Sequence, residues 1–271
     1  MSTTTSNAAH RIEPGAPDKD TRRLNRKILC VASGKGGVGK TWFAITLSHA
    51  LARQGLCTLL FDGDLGLANV DVQLGLTPAC DLVGVVARKA TLMEAVQRVQ
   101  NGGFDVIAGR SGSTTLANLD VGQLTTLRDD LLRLSDAYDR VVLDLSAGID
   151  SAVRLLARSS GRCLVVTTDE PTALTDAYAF IKLTTFSGFA NEFDVVINMA
   201  NSAREGERTY GKLLRACEGF LKISPRLAGV IRRDDKVRDC IRHQTSLLSR
   251  HPNTDAAADV EAIAMRLAGD P

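Results

Sequence analysis

Residues 34–41, Gly34-Lys35-Gly36-Gly37-Val38-Gly39-Lys40-Thr41, carry the pattern G-x-x-x-x-G-K-[ST] in full. The setting gives the pattern its weight. An apolar run, Lys27–Ala32 (KILCVA), stands before it, and a helix-compatible stretch, Trp42–Gln54, closed by Gly55, follows. Glycines let a backbone curl until its N–H groups point inward, which makes a nest for phosphate oxygens. The positive end of a helix that starts near Lys40 adds to that nest. On this chemistry Gly34, Gly36, Gly37, Val38 and Gly39 form the cradle. Lys40 reaches the β- and γ-phosphates of a nucleotide, and the Thr41 hydroxyl ligates Mg²⁺. Trp42 either sits under the nucleotide or packs in the core, the ordinary place for a helix-face aromatic.

Outward from this loop, short apolar runs alternate with longer helix-compatible segments. Lys27–Ala32, Leu56–Phe61, Phe104–Ala108, Arg140–Leu145, Arg162–Thr167, Phe193–Asn198 and Arg226–Ile231 read as strands. Most are continuously apolar, as strands covered on both faces must be. Pro171–Phe186 begins with a proline suited to a first helical turn. Strand and helix in alternation predict an α/β fold: a single doubly wound, mostly parallel sheet flanked by helices. Residues 1–25 are polar, with Pro14, Gly15 and Pro17, and read as a flexible arm; residues 26–271 read as one domain, C-terminal helices included.

Composition narrows the function classes. The 271 residues hold 33 Lys and Arg against 31 Asp and Glu, a net charge of +2, which leaves no broad basic face for nucleic acid. Aromatic residues make up only 4%, too few for a platform that stacks single-stranded bases. No apolar run reaches the ~18 residues of a membrane span, and the Ser/Thr-rich start lacks the apolar core of a signal peptide, so a cytoplasmic address is expected. Cys30, Cys57, Cys80, Cys163, Cys217 and Cys240 are scattered, with no C-x-x-C pair to form a zinc ribbon or a redox dithiol.

Carboxylates supply the rest of a nucleotide site. Asp62 and Asp64 lie two apart just beyond the second apolar run, a spacing that can turn both toward the pocket. Asp64 can orient or accept a proton from an attacking water, and Asp62 can support Mg²⁺ through water. Asp144 ends the run Val141-Val142-Leu143 ahead of a small-residue loop with Gly148, the place of a carboxylate that holds a water of the Mg²⁺ ion. Asn198 ends Val195-Val196-Ile197 with an amide that can donate and accept at an adenine edge.

With its second lysine, Lys35, the stretch KGGVGKT resembles the deviant Walker A motif of the MinD/ParA ATPase superfamily, P-loop NTPases of the SIMIBI type. DGDLGLANVDVQLGL (62–76) and TTDEPTALTDAY (167–178) are similar to segments of its flagellar-number branch, FlhG or FleN. The resemblance implies ATP, read through Asn198 and with Asp234 on the adenine side. It implies Mg²⁺, hydrolysis that requires Asp64, and a homodimer in which Lys35 touches the partner's phosphates. It implies a slow, partner-stimulated ATPase that switches between monomer and dimer to set flagellar number or placement. The other members of the superfamily offer two further readings, a DNA-riding positioning ATPase of the ParA kind and an iron–sulfur carrier. Charge disfavours the first and the scattered thiols the second.

The departures are informative. Arg232 stands where the resembling segment usually has proline, and Trp42 where Asn or Thr is expected. Family members often end in an amphipathic helix that binds membrane in the ATP state. Asp255–Gly269 is helix-compatible here, but its apolar face is diluted by alanine and Arg266 is its only cation, a better fit to packing on the domain than to peripheral attachment at the inner membrane face. A flagellar regulator or an FlhF-like GTPase is the implied protein partner. Residues 18–24 (DKDTRRL) are far from the D-Q-A-x-x-L motif that stimulates that GTPase, so the stimulation is not carried over.

Overall fold

The computed structural model describes residues 26–187 and 192–269; the expected arm, residues 1–25, lies outside them. In chain order the elements are β1 (Ile28–Ser33), α1 (Lys40–Arg53), β2 (Thr58–Gly63), α2 (Val70–Leu74), α3 (Leu82–Val86), β3 (Gln97–Val99) and β4 (Phe104–Ile107). There follow α4 (Thr114–Ala117), α5 (Val121–Ser135), β5 (Arg140–Ala147), α6 (Ser151–Ala157), β6 (Arg162–Thr167), α7 (Pro171–Phe186) and β7 (Glu192–Ala200). The chain ends with α8 (Ala203–Ala216), a π-helical turn (Cys217–Leu221), β8 (Arg226–Arg232), α9 (Asp235–Arg242), α10 (Leu247–Arg250) and α11 (Asp255–Gly269).

Eight strands form one sheet in the order β3-β4-β2-β5-β1-β6-β7-β8. Every pairing is parallel except the edge pair β3–β4. All seven expected runs are strands. The eighth, β3, is a three-residue edge piece, Gln-Arg-Val, with no apolar run to betray it.

Period-2 alternation sends the side chains of each strand to two separate halves of the core. Ile28, Cys30 and Ala32 of β1 join Phe61, Leu131, Leu156 and Phe180 on the face covered by α5, α6, α7 and α8. Leu29 and Val31 join Phe43, Leu47, Val260 and Ile263 on the other face, under α1 and α11. Helix α1 is buried continuously from Lys40 to Leu51, because the sheet and α11 both pack against it. Helix α11 spans the whole expected segment and buries Ala256, Ala257, Val260, Ile263, Ala264 and Leu267. Among the described residues no helix is long and apolar enough to cross a membrane.

β1 sits mid-sheet between β5 and β6, where the connections diverge to the two sides. In an open parallel sheet that is the switch point, and the loops at the carboxyl ends of the strands there form the ligand crevice.

Candidate nucleotide site

The phosphate loop leaves β1 and enters α1 through Gly39, whose φ of 86° lies in the left-handed region. A side chain at Gly39 would be strained by that φ and would meet Asn198 Nδ2 at 2.4 Å. At Gly34 the limit is packing rather than torsion: a Cβ would fall 2.1 Å from the carbonyl oxygen of Asp176 on α7. Gly36 and Gly37, by contrast, have no neighbour within 4 Å of a Cβ position and face open space, as a cradle for a ligand requires.

Beneath the loop, Lys40 Nζ donates to Asp144 Oδ1 at 2.7 Å, with side chains 8% and 0% exposed. The pair forms because Asp144 of β5 lies in register with Val31 of β1, just below the phosphate loop, within reach of the lysine that opens α1. Burial pushes the Asp144 carboxyl up from its ordinary range, while the Lys40 ammonium and the Thr41 hydroxyl pull it back. Its second oxygen, Oδ2, is buried with no hydrogen-bond partner. An orphaned acceptor beside Thr41 fits a cation or a cation-bound water, so the residues present suit Mg²⁺.

Asp62 and Asp144 are directly paired in register on β2 and β5. Asp62 is fully buried, and burial followed by repulsion from Asp144 pushes its carboxyl up. Its oxygens accept the backbone N–H groups of Asp64 (3.2 Å) and Val70 (3.2 Å). Asp62 therefore fixes both ends of the 64–70 loop from below. The i, i+2 spacing does not place the two carboxylates at equal depth. Asp64 emerges past the strand end, accepts from Leu67 N–H at 3.0 Å, and lines the cavity.

That cavity, about 690 Å³, runs from Gly36, Gly37, Lys40 and Thr41 toward α9 and the Arg232–Asp235 corner. Asn198 lies on its wall with both ends of its amide engaged: Nδ2 donates to Val38 O at 2.8 Å and Oδ1 accepts from Met199 N–H at 2.9 Å. It clamps the phosphate loop and retains one N–H and one lone pair for a ligand. β7 runs two residues past Asn198, with an irregular register at Met199, whose φ is 57°. Trp42 belongs to the core, as a helix-face aromatic ordinarily does, and also lines the cavity. Asp234 caps α9, accepting from Lys236 N–H at 2.9 Å, on the same wall. Arg232, the departure from proline, pairs with Asp255 and Asp259 (2.9 Å each) and so ties the end of β8 to α11.

Lys35 lines the same cavity, with its ammonium tethered at one edge. Its ammonium donates to Glu170 Oε2 at 2.7 Å and to Thr172 Oγ1 at 2.8 Å, at the start of α7. No reading of the sequence anticipated that contact, which spans 135 positions. On the other flank, Gly148 N–H donates to Ser33 O at 2.9 Å, so the loop after β5 is anchored to the root of the phosphate loop. A larger groove of about 960 Å³, between the 85–94 segment and α5, includes none of these residues.

Comparison with known proteins identifies the family. The family model described as the CobQ/CobB/MinD/ParA nucleotide binding domain matches residues 29–247. The chain is 36% identical over 241 residues to the antiactivator FleN of Pseudomonas aeruginosa, covering 89% of this chain and 86% of that protein. It is 29% identical over 241 residues to the flagellum site-determining protein YlxH of Helicobacter pylori, covering 89% and 81%. Among solved structures, the cell division ATPase MinD of Pyrococcus furiosus superposes with a TM-score of 0.77 at 25% identity, covering 90% of this chain and 98% of that one. The phosphate loop, its buried Lys40–Asp144 pair and the matched span from residue 29 to 247 together make this chain a member of the CobQ/CobB/MinD/ParA nucleotide-binding family.

Proposed function

We propose that this MinD/ParA-family ATPase is a switch that pairs with a second copy of itself around ATP and regulates flagellar number or placement. One observation carries the nucleotide part: the buried Lys40–Asp144 pair below an open glycine cradle, with Asp64 on the loop above. The flagellar part rests on the likeness to FleN and YlxH.

In this reading Lys40 exchanges Asp144 for the β- and γ-phosphates, and Mg²⁺ would be held by the Thr41 hydroxyl, with Asp144 holding one of its waters and Asp62 supporting it through water. The metal supplies neutralisation of the phosphate charge. Asp64 orients the attacking water and takes up its proton. Asn198 and the Asp234 corner meet the adenine. Lys35 crosses to the phosphates of the second copy, where a fixed ammonium stabilises the charge that develops on the transferred group. A flagellar regulator is the partner that would read the paired state.

The Lys35–Glu170–Thr172 contact then acts as a restraint, because Lys35 must leave Glu170 before it can serve the partner. The Glu170 carboxyl is held below its ordinary value by the Lys35 hydrogen bond and charge. It is largely exposed, so the restraint is weak and readily broken. Turnover per molecule, measured against protein concentration, tests the reading. Wild type is expected to rise more steeply than linearly in total rate, since one copy completes the site of the other. Lys35→Ala should stay low throughout, and Glu170→Gln should reach half-maximal turnover at a concentration about two- to fivefold lower. A rate per molecule that is flat with concentration in wild type contradicts the shared site.

A further inference from the structure

Trp42 is the only tryptophan in the chain and stands directly after Thr41, in the first turn of α1. It is 6% exposed, and its indole Nε1 is buried with no hydrogen-bond partner. Across on α2, Gln73 shows the complementary condition. Its Oε1 is buried without a partner, while its Nε2 donates weakly to Asn69 Oδ1 at 3.4 Å. Both side chains line the cavity that opens from the phosphate loop.

A buried donor or acceptor left unpaired is costly, and such atoms in native proteins call for an explanation. Here an orphaned donor and an orphaned acceptor belong to two residues that line the same cavity, and together they define their complement. A phosphate oxygen accepts only and would leave Gln73 unpaired. A hydroxyl accepts from one and donates to the other.

We propose that Trp42 and Gln73 together recognise a ribose hydroxyl of the bound nucleotide, the indole N–H donating to its oxygen and the glutamine carbonyl accepting its proton. The inference rests on the nucleotide reading above and adds sugar specificity to it. It also gives the ligand a hold on α2. Gln244 Nε2 already donates to Val72 O at 3.0 Å, fastening α2 beside α9, and Asp62 holds the segment's start at Val70. A hydroxyl bound by Gln73 would add a further anchor to the segment that carries Asp64.

Calorimetric titration of wild type, Trp42→Phe and Gln73→Leu with Mg²⁺ and ADP, 2′-deoxy-ADP, 3′-deoxy-ADP or IDP tests this. Wild type should bind one of the two deoxy analogues about tenfold more weakly than ADP, because that analogue leaves both wall atoms unpaired. In each variant the preference should shrink toward one, through weaker ADP binding rather than tighter analogue binding. Equal wild-type affinity for ADP and both deoxy analogues overturns the proposal, as does a preference that survives in both variants. A loss in the variants that follows the base, seen with IDP and not with the deoxy analogues, overturns it too. Should Trp42→Phe fail to fold, Gln73→Leu decides alone. Failure of wild type to bind ADP at all contradicts the nucleotide site itself, whereas every other outcome bears on the hydroxyl contact.

Discussion

Lys40→Met is expected to abolish measurable binding of ATP and ADP and, separately, to cost about 3 kcal/mol of folding stability. The two losses have different causes. Binding fails because the only ammonium buried beneath the described phosphate loop is gone. Stability falls because Asp144, fully buried, loses its one charged partner while its Oδ2 is already unpaired. Removing one member of a buried pair exposes the desolvation cost of the other, whereas removing both with apolar residues of similar volume is often neutral. Lys40→Met/Asp144→Leu should accordingly recover most of the stability and none of the binding. Urea unfolding and calorimetric titration on the same three proteins separate the effects.

The deficit in Lys40→Met also has a pH signature. Burial holds the Asp144 carboxyl above its ordinary value of 3.8, and Lys40 is the largest opposing influence. Without the lysine, folded Asp144 keeps a proton that the unfolded chain gives up. The folded state then binds more protons, so stability falls as pH rises above that ordinary value and levels off once folded Asp144 ionises. Each pH unit in between costs up to about 1.4 kcal/mol. The variant should therefore lie nearer to wild type at pH 4.5 than at pH 8. A deficit independent of pH would mean that Asp144 is not the group left unsatisfied.

Ile263→Asp is expected to give no folded protein, and Ile263→Ala to lose about 3 kcal/mol. Ile263 is 1% exposed in the middle of α11 and packs directly over β8, where a Cβ on Gly229 would come within 2.5 Å of its Cγ1. Glycine at 229 and isoleucine at 263 fit each other. Arg232 reinforces the same junction through Asp255 and Asp259, and Arg266 does so by donating to Ala228 O at 2.9 Å. Met265, 62% exposed on the far side of the helix, serves as the control: Met265→Ala should change stability by less than about 0.5 kcal/mol. Chemical unfolding midpoints decide the matter. If Ile263→Ala matched wild type, α11 would be an appendage free to serve elsewhere, at a membrane surface for example. With its apolar face committed to α1 and β8, it is part of the core.

Much of this architecture is written locally. Continuously apolar runs announce parallel strands covered on both faces, and Pro171 and the Asp255–Gly269 stretch set their helices to the residue. The phosphate loop is legible because its glycines and its lysine are contiguous. What escaped is what the topology assembles. Strand β3 has three residues, two of them polar, and is stabilised by its antiparallel neighbour rather than by its own pattern. Glu170 and Thr172 come to Lys35 only because β6 lies beside β1. Arg232 looked like a flaw in a motif until α11 supplied two carboxylates. Asp62 and Asp64 look equivalent in sequence, yet the strand end falls between them, leaving one as a buried organiser of the loop and the other at the cavity wall.

In the proposed switch, ATP drives two copies together and Asp64 is needed to separate them. Light scattering of Asp64→Ala after gel filtration, with Mg²⁺ and either ATP or ADP, tests it most directly. The expected result is a stable species of twice the chain mass with ATP and a monomer with ADP, while wild type reverts to monomer as ATP is consumed. A monomeric Asp64→Ala protein that binds ATP would contradict the switch.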